Sequence, residues 1–582
     1  MKKRLLATLC LLLPSLGLAD PFVWPDAWTA DPGEAVFGGT FRAGSVGNPR
    51  TLNPLVSAEE NSVLDLTSEG ASLFKQGPDS PEWLPYAAQS FTVSEDGTVI
   101  DVVLREGVKW SDGRPVTVQD YLFAYQAWID PEVGANGREE WFIDGELIEL
   151  TVTGERSLRF TFPRPDRTAF GLVGSHQPLP DHILGERYRQ GGAEALRSAW
   201  GVDVNVHETV WTSAWVPVSF EPDERLVFER NPYFGEWNVD EAGNPLPYLE
   251  RINVSLLVSN EAALNLFLAG ELDAFNSASL DEFGVINAAV QNGDLDATLI
   301  ESASPVAGSQ FIIFNWNKAG DPFREALFRS PDFRHAMSHL VDREAIIELV
   351  FGGSASPMWT GVYQVLDFWV NPDVAKFPFD PEAALELLGG LGFQQRGDDG
   401  VLRDAQGWAL EFTLAVIAGD QSFEQIGQIF ADSAREVGVN VDVQAVDFNV
   451  LVDRLLVRGD DRPFDAILIG LVGADRDWPF SANELDCNGL LHGYNLSGGC
   501  LFELEKQRQA LQNLGRQTLS TEEARAIGFE IQALEAELMP FVYTVSPSWH
   551  VGWSNTLGGA HPRELINSIV GSRELVLTFK RQ

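Results

Sequence analysis

Residues 104–117 read LREGVKWSDGRPVT, and they contain a strand end, a tight turn and a helix start in that order. The preceding residues 99–104 are mostly apolar and follow a turn, so they predict a β-strand. Gly113 marks the tight turn. Thr117, with Asp120 three residues later, has the spacing of a capping box, and a helix is predicted to begin there.

A second stretch, residues 423–469, decides the fold class. Apolar residues recur at helical spacing and end at a glycine suited to a left-handed cap: Phe423, Ile426, Ile429, Phe430, Val437 and Gly438. Residues 439–445 then alternate as in a half-buried strand, a second helix follows Asp447, and residues 464–469 form another apolar strand. Such a β–α–β unit requires parallel strands layered with helices, so the fold class is predicted to be α/β.

The length of the chain predicts more than one lobe. It has 582 residues, far beyond the roughly 250–300 at which a single hydrophobic core stops growing. Apolar residues make up 45% of the chain, which is enough for full-sized cores. At least two lobes are therefore expected.

The first 19 residues have the pattern of a secretion signal. Residues 2–4 are basic, residues 5–13 are apolar, and residues 17–19 end in a small residue, so cleavage is predicted after Ala19. The apolar stretch is shorter than the roughly 20 residues that span a bilayer. The sequence therefore predicts an exported, periplasmic protein.

The three cysteines are candidates for lipid attachment or for a disulfide. Cys10 lies inside the apolar stretch and not at the cleavage point, so a lipoprotein is not expected. Cys487 and Cys500 remain in the mature chain, and glycines between them would allow a loop to close. In an oxidising compartment they form either a disulfide or two buried free thiols, and the sequence leaves both open.

Charge excludes two classes of partner. The formal net charge is −43, and so acidic a surface repels both nucleic acid and anionic lipid. The 17 tryptophans are a high count. Most should lie in the cores, but a surplus also fits a cavity with aromatic walls.

The sequence contains no complete catalytic or metal-binding motif of the recognised kinds. There is no phosphate-binding glycine loop and no Gly-x-Ser-x-Gly elbow. His335 and His339 have metal-ligand spacing, but Ala336 stands where a zinc protease needs glutamate, and a capping or solvated helix face is the better interpretation. No catalytic residue, metal or cofactor is therefore predicted.

The run at 104–117, followed by Asp120, closely resembles the family 5 extracellular solute-binding proteins, the dipeptide- and oligopeptide-binding components of ABC importers. The resemblance extends from about residue 37 to the C-terminus. It recurs in family order at residues 230–234, 247–252, 269–273, 315–323, 332–336, 342–346, 380–384 and 387–388.

This resemblance implies a bilobed periplasmic-binding-protein fold of the cluster C type, with an extra domain inserted into the first lobe. The implied limits after the signal peptide are 20–66, 196–300 and 541–582 for the first lobe, 67–195 for the inserted domain and 301–540 for the second lobe. The implied function is capture of a short peptide between the lobes by a non-enzymatic monomer. The loaded protein would deliver it to the permease and ATPase subunits of an ABC importer.

In peptide-binding relatives an aspartate after a strand of the second lobe meets the ligand ammonium. The matching stretch here is 470–478, and Asp475 falls on that aspartate. Val472 stands where the family has tryptophan, and Arg476 follows at once. Arg476 either neutralises Asp475 or faces the ligand carboxylate, and a loop of solvated charges is the alternative. Trp478 would form an aromatic wall from a shifted position, or belongs to the core.

On the first lobe, residues 46–54 resemble a loop that lines the cleft in relatives. Asn48 and Asn53 are candidates to bond peptide amides, although asparagine beside proline is equally common in turns. Three aromatic residues are further candidates from their positions: Trp316, Tyr494 and Trp549.

Other functions stay open at this point. Members of the same family bind oligosaccharides, nickel chelates, haem or opines, and the missing tryptophan keeps these solutes possible. A secreted hydrolase would share the size and the signal, but a nucleophile or metal constellation should then be recognisable. A loaded protein that docks on a receptor is the remaining alternative.

Overall fold

The structure is a computed structural model that describes residues 20–25, 36–57, 70–76, 83–135, 137–143, 145–277, 279–305, 308–472, 478–480, 484–489, 491–559 and 575–581. The predicted signal segment, with Cys10, lies outside these residues. So do Asp475 and Arg476, the two charged residues predicted to contact the solute.

The first lobe is built on two sheets. One has the order β11–β12–β14–β2 and comprises β2 (Thr40–Val46), β11 (Trp215–Glu221), β12 (Arg225–Arg230) and β14 (Arg251–Leu257). The other has the order β15–β25–β16, with β18 also paired to β25: β15 (Ala274–Ser277), β16 (Ala297–Pro305), β18 (Ala355–Pro357) and β25 (Val545–Ser554). Helices α4 (Asn260–Leu268) and α5 (Leu280–Asn292) belong to this lobe. Every second residue of β14 is buried, as expected where one face of a sheet covers a core.

The inserted domain is an antiparallel sheet with helices. Its strands have the order β5–β6–β10–β9: β5 (Ala88–Val93), β6 (Val99–Leu104), β9 (Glu149–Gly154) and β10 (Ser157–Thr161). Its helices are α1 (Val118–Ile129), α2 (Arg167–Ser175) and α3 (Glu186–Arg197). The predicted capping box is confirmed, because the Thr117 amide donates to Asp120 at 2.8 Å and the Gln119 amide donates to the Thr117 hydroxyl.

The second lobe is a mixed sheet covered by helices. Its strands have the order β22–β21–β23–β17–β24: β17 (Gly308–Phe314), β21 (Glu411–Ile417), β22 (Asn440–Val446), β23 (Ala466–Val472) and β24 (Phe541–Tyr543). Its helices are α6 (Pro322–Arg329), α7 (Pro331–His339), α8 (Arg343–Val350), α9 (Pro381–Gly390), α10 (Gln421–Val437), α11 (Phe448–Leu456), α12 (Glu503–Gln517) and α13 (Thr521–Leu538).

The predicted α/β class is confirmed in this lobe. β21 pairs in parallel with both β22 and β23, which are the two strands predicted from residues 439–469, so the β–α–β unit spans a central strand. Gly438 caps α10 in a left-handed conformation with φ of 93°, as its position predicted. β17 is buried along its whole length because it lies inside the sheet.

Short strand pairs and helical turns complete the described chain. The pairs are β1 (Phe22–Trp24) with β13 (Asn238–Asp240), β3 (Phe74–Gln76) with β4 (Trp83–Pro85), β7 (Phe142–Ile143) with β8 (Glu146–Leu147), β19 (Gln395–Arg396) with β20 (Leu402–Arg403), and β26 (Leu557–Gly558) with β27 (Phe579–Lys580). The turns are Arg138–Trp141, Asp181–Gly185, Val206–Glu208, Phe234–Glu236, Gln364–Trp369 and Leu575–Leu577.

The hydrophobic cores divide the molecule into bodies. The main core of the first lobe includes Phe123 and Ala124 of the inserted domain, so these two bodies are packed together. The main core of the second lobe lies between Phe311 and Val545 in sequence. Within the described residues, no helix is long and apolar enough to cross a membrane.

Candidate functional site

Two of the places where the chain passes between the lobes are adjacent. β16 of the first lobe leads into β17 of the second, and β24 of the second lobe leads into β25 of the first through Thr544. The two passages are bonded to each other, because the amide and the hydroxyl of Thr544 both donate to the Gln310 carbonyl at 2.9 Å. The Ser546 hydroxyl also donates to the Gly308 carbonyl at 3.1 Å. Neighbouring connections of this kind form a hinge, since a few backbone torsions there can rotate one lobe against the other.

The loop predicted to hold the solute begins beside this hinge. Val472, the last residue of β23, pairs with Gly308, where the chain enters the second lobe. Residues 473–477 follow, outside the described part of the chain. The described strand therefore places the start of the loop at the junction of the lobes, while the roles of Asp475 and Arg476 stay predictions.

Trp478 lies in the core of the second lobe. Its side chain is fully buried, and its ring meets those of Trp369 and Phe480 edge to face, with centroids 5.7 Å and 4.8 Å away. This placement favours the core alternative over an aromatic wall facing the solute. Trp478 nevertheless anchors the C-terminal end of the loop, because it follows residue 477 directly.

Trp316 and Tyr494 are brought together, but inside the second lobe. Both are fully buried, with ring centroids 4.3 Å apart, and the Arg334 guanidinium lies 4.4 Å from the Trp316 ring. The Tyr494 hydroxyl accepts a hydrogen bond from Arg508 at 3.0 Å, and burial raises the pKa of Tyr494. Their predicted contact with solute stays a prediction, and their surroundings favour a structural role.

The two asparagines of the first-lobe loop have different environments. Asn53 is fully buried, and its amide donates to the carbonyls of Leu196 and Ala199 while its side-chain oxygen accepts from the Leu55 amide. It therefore fixes the loop, which is the turn alternative. Asn48 is exposed and exchanges hydrogen bonds with Asp223 at the β11–β12 turn.

Trp549 lies on β25, next to the hinge. It is half-buried, pairs with Ser304 of β16 and packs against the first-lobe core. The next residue, His550, accepts a hydrogen bond from the Ser302 amide at 3.0 Å, and burial lowers the pKa of its imidazole. Of the predicted aromatic candidates with described surroundings, Trp549 is the one that lies beside the hinge and keeps part of its surface accessible.

Acidic side chains behind the start of β17 were missed by the sequence reasoning. Tyr363 lies beside Ser309, and the half-buried Glu484 lies near the Tyr363 hydroxyl. Burial raises the pKa of the Glu484 carboxyl, and the nearby positive charge of Arg508 offsets part of this rise. Burial likewise raises the pKa of Glu535 to about 7, although this carboxylate accepts hydrogen bonds from the Tyr543 hydroxyl at 2.8 Å and the Gly361 amide at 3.0 Å. In the sequence each of these glutamates looks like an ordinary solvated charge, so no signal marked them.

Within the described residues, one group of side chains has the spacing of a metal site. Cys487, His492 and Glu505 bring ligand atoms within 4.8 Å of one another. However, Cys487 forms a disulfide with Cys500, so its sulfur is not a thiolate. His335 and His339 bond the carbonyls of Ala536 and Pro378, in agreement with the structural interpretation of that pair.

Comparisons with known proteins agree with one another on the family. A family model described as bacterial extracellular solute-binding proteins, family 5 Middle, matches residues 82–489. A probable ABC transporter-binding protein of Deinococcus radiodurans is 35% identical, with all of both chains covered. A periplasmic alpha-galactoside-binding protein of Rhizobium meliloti is 28% identical over 66% of this chain and 57% of its own.

Two solved structures share the fold. The periplasmic binding protein MelB of Agrobacterium fabrum, in complex with stachyose, has a TM-score of 0.75 at 22% identity and covers 96% of this chain and 87% of its own. The oligopeptide-binding protein AppA of Bacillus subtilis, in complex with a nonapeptide, has a TM-score of 0.70 at 19% identity and covers 94% of this chain and 100% of its own. At these identities the likeness concerns the fold alone.

Proposed function

The chain belongs to the family 5 bacterial extracellular solute-binding proteins, and from that premise we propose that it captures a short peptide between its lobes and delivers it to an ABC importer. The observation that carries the proposal is the hinge, where two bonded passages join lobes that have separate cores. Closure about such a hinge buries a small molecule and gives the importer two distinguishable shapes.

The choice of a peptide rests on the acidity of the junction. Asp475 belongs to the predicted solute loop that follows Val472, which pairs with Gly308, and the half-buried Glu484 carboxyl lies near the Tyr363 hydroxyl. A carboxylate sheltered from water attracts an ammonium group much more strongly than one at the surface. A zwitterionic or cationic peptide fits such a site better than a neutral solute.

An oligosaccharide is the second candidate. The 28% identity to a galactoside-binding protein extends over two thirds of this chain, and Val472 replaces the tryptophan of the peptide-binding pattern. The half-buried Trp549 beside the hinge is a surface on which a sugar ring could stack.

The proposal extends to export and to the domain organisation. Export would follow cleavage after Ala19. The domain limits would be those that the family resemblance implies, with two changes: residues 301–305 of β16 join the first lobe, and β24 (Phe541–Tyr543) joins the second lobe. The protein would act as a monomer on permease and ATPase subunits. It would recognise its solute without changing any covalent bond.

Native mass spectrometry of freshly purified protein, followed by calorimetric titration, tests the proposal. The mass of any co-purified ligand identifies its class, and the titration uses di-, tri- and longer peptides beside raffinose and stachyose. We expect peptide binding at micromolar affinity or tighter, with the peptide recovered intact. Binding of the sugars alone would favour the second candidate, and hydrolysed peptide would contradict a pure binding function.

A further inference from the structure

The inserted domain also contacts the second lobe, at a place away from the hinge. The contact joins residues 164–168, at the start of α2, to the turn between α12 and α13. The inserted domain shares a core with the first lobe, so rotation about the hinge would carry it with that lobe. This contact must therefore break whenever the lobes separate.

An ion pair stands at the centre of the contact. Asp166 caps α2, accepting from the Thr168 amide at 3.0 Å, and its carboxylate is fully buried. Arg516 of α12 approaches the same carboxylate at 2.8 Å and the Thr168 hydroxyl at 3.3 Å. Arg164 of the inserted domain lies 3.3 Å from Asp166, so the carboxylate keeps one partner when the lobes separate and loses the other.

Arg167 makes further contacts between the inserted domain and the second lobe. Its guanidinium donates to the Thr518 carbonyl at 3.1 Å, and it lies 5.3 Å from the ring of Trp369 and 5.9 Å from the ring of Trp478. Cations over indole faces at such distances are attracted by the ring. One of these rings, that of Trp478, belongs to the residue that directly follows 473–477 in the sequence.

Leu519 adds an apolar contact. It lies in the turn between α12 and α13, and a β-carbon on Gly97 would lie 2.8 Å from its Cδ1. It stands at a groove of about 190 Å³ whose other walls belong to the inserted domain, including Trp83, Ile100 and Phe170. The side chain is 53% exposed, so it covers the groove without filling it.

We propose that Asp166, Arg167, Arg516 and Leu519 form an interlobe latch that stabilises the closed arrangement of the two lobes. The proposal rests on the proposed function for its premise that the lobes open and close. With a net charge of −43, acidic surfaces on the two lobes repel one another, and the latch provides arginines opposite a carboxylate and aromatic rings.

The test uses the full mature chain without solute. Spin labels on Glu155→Cys, in the exposed β9–β10 turn, and Asp398→Cys, in the exposed β19–β20 turn, report the distance between the bodies by double electron–electron resonance. Cys487 and Cys500 are paired, so they do not compete for label. Arg516→Ala is compared with Arg435→Ala, which removes an exposed ion pair of α10 on the same lobe.

Arg516→Ala should lower the ratio of closed to open protein by about two- to fivefold, the range for a partly exposed ion pair. Arg435→Ala should leave this ratio unchanged. Leu519→Ser is a second variant at an exposed position, and it should shift the ratio the same way by removing the apolar contact with the turn at Gly97. Thermal unfolding confirms that each variant is folded.

The latch would be overturned if folded Arg516→Ala and Leu519→Ser showed the same distances as the parent protein. It would also be overturned if the parent showed only the long distance. Because no solute is present, these outcomes are independent of the titration that tests the proposed function. If the protein binds peptide but its interlobe distances are the same in the latch variants as in the parent, only the latch is contradicted. A protein that opens as expected but binds no solute contradicts the proposed function only.

Discussion

The indole ring of Trp478 lies so close to Gly515 of α12 that a β-carbon on Gly515 would stand 1.9 Å from its Cη2 atom. No carbon can occupy that position unless the ring or the helix moves. Trp478 is fully buried and directly follows the loop predicted to hold the solute. The packing of α12 therefore helps to fix the end of that loop.

The substitution Gly515→Ala should destabilise the protein. Alanine normally stabilises a helix interior by about 1 kcal/mol relative to glycine. Here the added methyl group overlaps the Trp478 ring, and overpacking of a core costs about 1–3 kcal/mol or more. We expect the free energy of unfolding, measured in urea, to fall by about 2 kcal/mol and the solute affinity to fall with it.

Gly284→Ala is the matched control. Gly284 lies in the middle of α5 on an exposed face, with no atom within 4 Å of the position of a β-carbon. Its substitution should raise the free energy of unfolding by about 0.5–1 kcal/mol, in accordance with helix propensity. Stabilisation of both variants to the same extent would contradict the packing of Trp478 on Gly515.

Glu535→Gln should make the protein less sensitive to pH. Burial raises the pKa of Glu535 from 4.5 to about 7, so between these values the folded protein binds more protons than the unfolded chain. The free energy of unfolding therefore falls as pH rises from 4.5 to about 7, by about 3 kcal/mol at most, and is then level. Glutamine carries no charge and can still accept the hydrogen bonds from Tyr543 and Gly361.

The measurement is urea unfolding of parent and variant at about pH 5 and about pH 8. The variant should gain stability over the parent at the higher pH and little at the lower. Glu436→Gln, at an exposed position of α10, controls for loss of one negative charge. An equal pH dependence of the Glu535→Gln variant and the parent would show that Glu535 is ionised throughout.

The Cys487–Cys500 disulfide should stabilise the second lobe. It closes a loop of 13 residues in sequence separation, for which the chain-entropy account gives about 3 kcal/mol. The double substitution Cys487→Ser and Cys500→Ser should lower the free energy of unfolding by about that amount, and a reductant should then have no further effect. Titration of the unfolded, unreduced parent with a thiol reagent checks the premise, since free thiols at these positions would contradict it.

Local signals in the sequence predicted much of the fold. Thr117 and Asp120 form the expected capping box, and Gly438 ends α10 as expected, because caps are decided by residues a few positions apart. The parallel strands followed from apolar alternation around the same glycine. These features need no knowledge of distant parts of the chain.

The candidate site was less predictable for two physical reasons. Trp316 and Tyr494 lie in the core. The sequence could not show this, because an aromatic residue has the same local pattern in a core as in a pocket wall. The pairing of Asp166 with Arg516 joins residues far apart in sequence, and single charges on helices look solvated until the tertiary fold is known. Similarly, no local pattern indicates that Glu535 is buried.

Asp475→Ala should abolish tight peptide binding, if Asp475 meets the ligand ammonium as the family resemblance implies. The loop begins at the hinge beside Gly308, where closure would exclude water and strengthen an ion pair. Removal of one partner of such a pair costs about 2–5 kcal/mol, so Kd should rise at least about thirtyfold by calorimetric titration. Asp477→Ala removes an equal charge from the same loop and should change Kd by less than about threefold. Equal effects of the two substitutions would mean that the loop acts through its overall charge, and the specific role of Asp475 would then be wrong.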